Sequence, residues 1–118
     1  MIRKNNNDPS LSIIVVGGIG TGALSSVELL DENSLTWRLG PYLPVGIYGS
    51  GLVEDPRGGV ILIGGYVSPG GKSSSLYRLK HGGLYSKWDL MTQTLKAANY
   101  YMTAIIIPDI LAQNCTIN

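Results

Sequence analysis

The sequence predicts an all-β fold of antiparallel sheets, and two patterns in it support that prediction. Ile13–Val16 and Val60–Ile63 are short, uninterrupted runs of β-branched and leucine residues, which are typical of strands buried on both faces. Leu35–Leu39 alternates between hydrophobic and polar residues, as a half-buried strand does. Glycine supplies 16 of the 118 residues, which suits a chain that turns often between short strands.

A set of landmarks occurs twice in the same order. Each β-branched run ends in a glycine pair, and a loop rich in glycine and serine, a strand-like run, a polar turn and a tryptophan follow. Gly17 and Gly64 lie 47 residues apart, and Trp37 and Trp88 lie 51 apart. The small difference falls in loops, where insertions are tolerated. The sequence therefore predicts two copies of one structural unit.

Local chemistry places the individual elements. The strands are predicted, in chain order, near 12–17, 26–31, 35–39, 47–54, 59–64, 74–80, 86–90 and 100–107. Pro108 ends the last of these, because proline cannot continue a paired strand. Residues 89–99 are predicted to form a loop, with a helix as the less favoured alternative. Residues 1–10 are expected to form a disordered tail, and residues 109–118 a second tail.

Composition restricts the classes of function. Charged residues make up 14 % of the chain and the net charge is +1, so we expect neither nucleic acid nor a membrane as a partner. One cysteine, Cys115, and one histidine, His81, are too few for an internal disulfide or a metal centre built on these residues. We expect no cofactor and no metal. No apolar run approaches the roughly 18 residues of a membrane span, and none resembles a signal peptide, so a cytoplasmic location is predicted.

The landmarks resemble the kelch repeat, whose period is about 50 residues. The pattern of that family is a hydrophobic run ending in two glycines, a strand of the form Val-Glu-x-Tyr-Asp, a turn and a tryptophan. The chain has Val27-Glu28-Leu29-Leu30-Asp31 in the first copy and Leu76-Tyr77-Arg78-Leu79 in the second. It departs from the pattern at Leu30, where the family has tyrosine, and at Lys80, where the family has aspartate.

The resemblance implies antiparallel four-stranded blades of a kelch-type β-propeller. The propeller would be incomplete, with about two blades plus one extra strand, because a full ring has about four to eight blades. Repeat 1 would cover 11–45 without its inner strand, repeat 2 would cover 46–92, and 93–108 would hold the inner strand of a third or closing blade. The structural landmarks would be Gly17, Gly18, Trp37, Gly64, Gly65, Tyr77 and Trp88. Such a chain is a fragment or truncated copy of a longer propeller, a unit that self-associates through exposed blade edges, or a packed pair of blades that is only marginally stable.

The same resemblance implies a non-enzymatic module that binds a protein partner through its inter-strand loops. Kelch proteins often receive substrates for ubiquitin-ligase adaptors or bind the cytoskeleton. Tyrosine and basic residues near these loops are favoured, since tyrosine and arginine are enriched in binding hot spots. The candidate partner-binding residues are Arg38, Tyr42, Tyr48, Tyr66, Lys72 and Arg78.

Two alternatives stay open at the level of sequence. Gly18-Ile19-Gly20-Thr21-Gly22-Ala23 follows a strand and matches a dinucleotide-binding fingerprint, provided that a helix begins near Leu24. About twenty residues later, however, the chain reads Tyr42-Leu43-Pro44 and not a strand ending in an acid. The second alternative is a truncated repeat fragment without a function of its own.

Overall fold

The computed structural model describes residues 11–31, 33–80 and 87–107. Within these ranges the protein is all-β, every strand pairing is antiparallel, and there is no helix. It follows that no helix of the described residues is long and apolar enough to cross a membrane. His81, Cys115 and the two predicted tails lie outside the described residues.

The strands are short and follow one another closely. In chain order they are β1 (Leu11–Val16), β2 (Val27–Asp31), β3 (Thr36–Leu39), β4 (Ile47–Tyr48), β5 (Gly51–Glu54), β6 (Val60–Ile63), β7 (Tyr66–Val67), β8 (Gly71–Leu79) and β9 (Trp88–Asn99).

The first sheet is the meander β1-β2-β3. The turn from β2 to β3 closes because the Asp31 carboxylate accepts hydrogen bonds from the backbone N–H groups of Asn33 and Ser34, at 2.9 and 3.3 Å. Residues directly opposite each other in neighbouring strands point to the same face. One face therefore presents Ile14 and Val27, which are buried, and the other presents Leu30 and its cross-strand partner Trp37.

The second sheet contains the other strands. β5, β6, β8 and β9 lie side by side in that order, while β7 pairs with the start of β8 and β4 pairs with β7. Leu79 of β8 lies opposite Trp88 of β9, just as Leu30 lies opposite Trp37 in the first sheet. Tyr77, a predicted landmark, is half-buried and packs against the core.

The core lies between one face of each sheet. Buried side chains from the first sheet, from the connection after it and from the second sheet form one cluster: Ile14, Val27, Leu43, Ile47, Val60, Leu62, Leu79 and Trp88. Burying each of the aliphatic side chains contributes about 1.5–3 kcal/mol. This cluster holds the two sheets together and fixes the ends of the strands where the candidate site lies.

The strands predicted for the first sheet, and those near 59–64 and 74–80, are confirmed to within a few residues. The strand predicted over 47–54 is divided into β4 and β5, because Gly49 lies between them with a φ of 67°. Left-handed backbone of this kind interrupts an extended strand.

The loop predicted for 89–99 is wrong, and so is the strand predicted for 100–107. Residues 89–99 belong to β9, which pairs along the free side of the nine-residue strand β8. Residues 100–107 form no strand: Ala104 packs against Gly51 of β5, but the segment makes no ladder with any strand of the described ranges. In both segments, pairing with the edge of another strand decided whether a strand formed, and the strand propensity of the residues did not.

Candidate functional site

The two glycine pairs have the same backbone conformation. Gly17 and Gly18 have φ values of 65° and 120°, and Gly64 and Gly65 have 61° and 103°. Residues with a side chain rarely adopt these values, so glycine is required at these bends. The first N–H of each pair donates to a serine carbonyl at 2.9 Å: Gly17 to Ser26, just before β2, and Gly64 to Ser75 in β8.

The second glycine of each pair makes two further matching hydrogen bonds. The N–H of Gly18 donates to the carbonyl of Ile47 at 2.9 Å, and that of Gly65 donates to Asn99 at 2.8 Å. The carbonyls of Gly18 and Gly65 accept from Leu24 and Ser73, respectively, at 2.8 and 2.7 Å. The N–H groups at both bends are thus used within the fold, which leaves them unsuited to cradle an anion.

The correspondence continues beyond the glycine pairs. Gly49 lies two residues after Ile47 and has a φ of 67°, while Tyr101 lies two residues after Asn99 and has a φ of 53°. We call two residues corresponding when each has the same position relative to its own glycine pair. In this sense Ile47 corresponds to Asn99, and Gly49 corresponds to Tyr101. Because a left-handed φ is uncommon for a bulky residue, its presence at Tyr101 indicates that the surrounding contacts impose it.

Four tyrosines come together at the bend of the second glycine pair. Tyr48 of β4 lies opposite Tyr66 of β7, with ring centroids 5.2 Å apart. Tyr101 lies 6.0 Å from Tyr48, Tyr100 lies 5.8 Å from Tyr66, and Tyr100 and Tyr101 are 5.0 Å apart. The rings are tilted or edge-to-face, an arrangement that contributes about 0.5–1.5 kcal/mol per pair beyond burial. We call these four residues the tyrosine cluster.

Lys72 completes the site. It lies opposite Tyr66 in the β7–β8 ladder, and its Nζ is 5.8 Å from the centroid of the Tyr100 ring. That distance is within the reach of a cation–π interaction. Lys72 is exposed, and Tyr101 exposes 73 % of its surface, so both can contact a partner.

The tyrosine cluster also changes the acidity of one of its hydroxyls. Burial raises the pKa of Tyr48, and the neighbouring Tyr101, Tyr66 and Tyr100 raise it further. The folded chain therefore favours the neutral hydroxyl over the phenolate. A phenol in this state can donate and accept hydrogen bonds but is a poor base.

Of the six candidate residues, Tyr48, Tyr66 and Lys72 meet in this site and three lie elsewhere. Arg38 is exposed on β3, and Tyr42 is exposed in the connection after it. Arg78 lies six residues along β8 from Lys72, and its Nε is 2.9 Å from Oδ2 of the buried Asp55. The contact is an ion pair without the alignment of a hydrogen bond.

Asp55 shows what Arg78 does in the fold. Burial alone would raise the pKa of the Asp55 carboxyl, but a hydrogen bond from the Arg57 backbone and the charges of Arg57 and Arg78 lower it below the usual value of 3.8. The ionised carboxylate thus holds the turn between β5 and β6 to the middle of the second sheet. Arg78 has a structural partner here.

Two members of the site, Tyr100 and Tyr101, were missing from the candidates because they fell inside the predicted strand over 100–107. A signal for them exists in the sequence, since a tyrosine follows each tryptophan at nearly the same distance: Tyr48 comes 11 residues after Trp37, and Tyr100 comes 12 residues after Trp88. Extending the comparison of the two units past their tryptophans would have found it.

The segment that matched a dinucleotide fingerprint forms a tight turn. The Gly20 N–H donates to the carbonyl of Gly22 at 2.9 Å, Ile19 bridges to Ala23, and β2 follows. No helix begins near Leu24, so the N-terminus on which a pyrophosphate would rest is missing from this part of the chain. Across the described ranges, no group of three or more His, Cys, Asp or Glu residues could hold a metal ion.

No model of a known protein family matches the sequence, and no curated protein is significantly similar to it. The kelch resemblance therefore depends on the residues of this chain alone.

Proposed function

We propose that the protein is a non-enzymatic interaction module that binds a protein partner through the tyrosine cluster and Lys72. The observation that supports this proposal is the meeting of four aromatic rings and one exposed cation on a rigid, hydrogen-bonded strand end. Tyrosine offers a large contact area and a polar hydroxyl while losing little side-chain entropy on binding. Such a surface suits an apolar side chain of the partner flanked by a hydrogen-bond acceptor.

Binding explains the chemistry of the site better than catalysis does. The raised pKa of Tyr48 favours the neutral phenol over the phenolate, which is the form that would abstract a proton or act as a nucleophile. The same protonated hydroxyl is a good hydrogen-bond donor to a partner. Lys72 adds one positive charge beside the rings, and we expect a carboxylate or carbonyl of the partner to lie there.

We further propose that the two units are kelch blades. The side-by-side order of β5, β6, β8 and β9 supports this, as do the matching hydrogen bonds at the two glycine pairs. A role as a substrate receptor for a ubiquitin ligase or as a cytoskeletal binder would follow from that family. The cytoplasmic location stays a prediction.

Tyr101→Gly and Lys72→Ala test the proposed site. Glycine occupies the corresponding position, Gly49, so Tyr101→Gly removes a ring and accepts the left-handed backbone. Tyr42→Ala is the matched control, because Tyr42 is a tyrosine with 59 % of its surface exposed outside the cluster. Proteins captured from cells by the wild-type chain would be identified, and their affinity for each purified variant measured.

We expect Tyr101→Gly to weaken partner binding by roughly 30-fold, which corresponds to the loss of about 2 kcal/mol at a hot spot. Lys72→Ala should weaken it less, and Tyr42→Ala should leave it unchanged. A partner whose affinity responds to Tyr42→Ala and ignores both other variants would refute the site. A chain that captures nothing would favour the truncated fragment without function.

A further inference from the structure

The first sheet ends in an edge that its counterpart in the second sheet does not have. β1 and β6 both run into a glycine pair, and each pairs on one side with a strand that comes after that pair, β1 with β2 and β6 with β8. On its other side β6 pairs with β5, whereas no strand of the described ranges lies beyond β1. The outer N–H and C=O groups of β1 are therefore a template on which another strand can add.

Residues 103–106 have the composition of a strand but no ladder. They read Thr-Ala-Ile-Ile, and Ile105 exposes 76 % of its surface. Two pairs of corresponding residues are each separated by 52 residues. The first pair is Ile47 and Asn99, whose carbonyls accept from the glycine pairs, and the second is Gly49 and Tyr101, which have left-handed backbone. At the same separation, 103–106 corresponds to β5. Val53 of β5, the counterpart of Ile105, exposes only 5 %.

We infer that residues 103–106 of one copy of the chain add as a fourth strand to β1 of a second copy. The strand would be antiparallel, in the register that β5 takes on β6, where Gly51 lies opposite Ile63 and Glu54 opposite Val60. Transferred to the corresponding positions, Ala104 lies opposite Val15, Ile105 opposite Ile14 and Ile106 opposite Ile13. The backbone bonds supply affinity, and the alternating side chains fix the register.

The contact between the two sheets of one chain indicates why the strand that adds to β1 comes from a second copy. The Trp88 face of the second sheet is covered by the Val27 face of the first sheet. The corresponding Trp37 face of the first sheet, with Val15 and Leu39, is exposed. A second copy can pack on the first sheet as the two sheets of one chain pack on each other. Its second sheet would then cover Trp37, and its residues 103–106 would reach β1.

This contact is heterologous, because one copy gives the segment and the other gives the edge. Each copy retains an unused edge or segment, so association continues until a ring closes or a filament forms. The inference does not rest on the partner proposed for the tyrosine cluster, since it uses the edge of β1 and residues 103–106 and none of the four tyrosines.

Light scattering of the full chain over a concentration series tests the association. We expect the wild-type mass to exceed that of the monomer and rise with concentration. Ile105→Lys should return the chain to a monomer, because it places a charge opposite the buried Ile14. Leu90→Lys is the control on an exposed leucine outside the segment, and should leave the mass unchanged. Circular dichroism of each variant would verify the β structure.

Disulfide trapping tests the register. In a Cys115→Ser background, a chain carrying Val15→Cys is mixed with a chain carrying Ala104→Cys, and separately with a chain carrying Thr103→Cys. The inferred register places residue 104 directly opposite residue 15 on the same face, and residue 103 on the other face. We expect the first mixture to give a strong heterodimer under oxidation and the second a weak one.

A peptide of residues 99–107 should compete with the segment and lower the mass of the wild-type chain. A wild-type chain that stays monomeric at high concentration would overturn the inference. So would an oligomer whose mass is insensitive to Ile105→Lys, or equal trapping by the two cysteine mixtures.

Discussion

The indole N–H of Trp88 donates a hydrogen bond to the carbonyl of Pro41, with 2.9 Å between nitrogen and oxygen. Pro41 belongs to the connection that leaves the first sheet, so this bond ties the two sheets together. Trp37 holds the corresponding place and pairs with a leucine in the same way, yet it is 52 % exposed while Trp88 is 6 % exposed. The difference arises because a neighbouring sheet covers Trp88 and none of the described residues covers Trp37.

The two tryptophans should therefore differ in their contribution to stability. Trp88→Ala is expected to lower the free energy of unfolding by about 3–5 kcal/mol, the usual cost of a large core truncation. Trp37→Ala should cost less than about 1 kcal/mol in the monomer. Denaturant unfolding at low protein concentration, followed by circular dichroism, measures both. Equal losses would contradict the assignment of Trp88 alone to the core.

The glycine pairs give a second prediction. A Cβ on Gly17 would collide with the backbone carbonyl of Ile47, and one on Gly64 would lie 2.8 Å from the carbonyl of Asn99. Since both residues also have positive φ, Gly17→Ala and Gly64→Ala should each cost about 1–3 kcal/mol or more. Gly22→Ala is the matched control, because a Cβ there meets nothing within 4 Å.

Thermal or denaturant unfolding of these three glycine variants decides the matter. We expect Gly22→Ala to stay within about 0.5 kcal/mol of the wild-type chain. A harmless Gly64→Ala, or a Gly22→Ala as damaging as the other two, would show that the bends do not need glycine.

Sequence patterns predicted the strands that are specified by residues adjacent in the sequence. The β-branched runs of β1 and β6 and the alternation of β3 specify strands by themselves. β9 was missed because Leu90, Met91 and Ala97 favour a helix or a loop, and its strand state depends on the free edge of β8. Non-local pairing of this kind cannot be read from a window of neighbouring residues.

The candidate site was predicted in part for a related reason. Residue type indicated Tyr48, Tyr66 and Lys72, but their meeting depends on the β4–β7 pairing and on the hydrogen bond from the Tyr101 N–H to the Gly49 carbonyl, 2.6 Å long. These contacts join residues far apart in sequence. Arg78 was indicated by type as well, and its ion pair with Asp55 depends on how the second sheet folds around that turn.

The Asp55 carboxylate predicts how stability responds to acid. Its pKa in the folded chain is below the usual 3.8, so the folded state favours the charged form. The stabilisation is complete above the unfolded pKa and is lost as the pH falls through the lower folded pKa. Asp55→Asn should lower the free energy of unfolding at neutral pH by about 3 kcal/mol, because it leaves the Arg78 charge without its buried partner.

The control for Asp55→Asn is Asp89→Asn. Asp89 is exposed and lies 3.9 Å from the Lys87 ammonium, a surface pair that is usually worth about 0–1 kcal/mol. Unfolding free energies measured from neutral pH down to about pH 3 should converge for the wild-type and Asp55→Asn chains as the carboxyl becomes protonated. Curves that stay parallel throughout would show that Asp55 acts without its charge.

The raised pKa of Tyr48 gives a prediction at alkaline pH. In the folded chain the neutral phenol is favoured by burial and by the other rings of the tyrosine cluster, so ionisation occurs above the ordinary value of 10.0. Stability is therefore constant up to about pH 10 and falls above it, as the unfolded chain loses the Tyr48 proton first. Subtracting the tyrosinate absorbance of Tyr48→Phe from that of the wild-type chain isolates this titration, and the same subtraction in urea supplies the unfolded reference.

Tyr66→Phe and Tyr101→Gly each remove a neighbouring hydroxyl and should lower the folded midpoint of the Tyr48 titration. A folded midpoint at or below the unfolded one would mean that Tyr48 lies outside the cluster that we propose as the binding site.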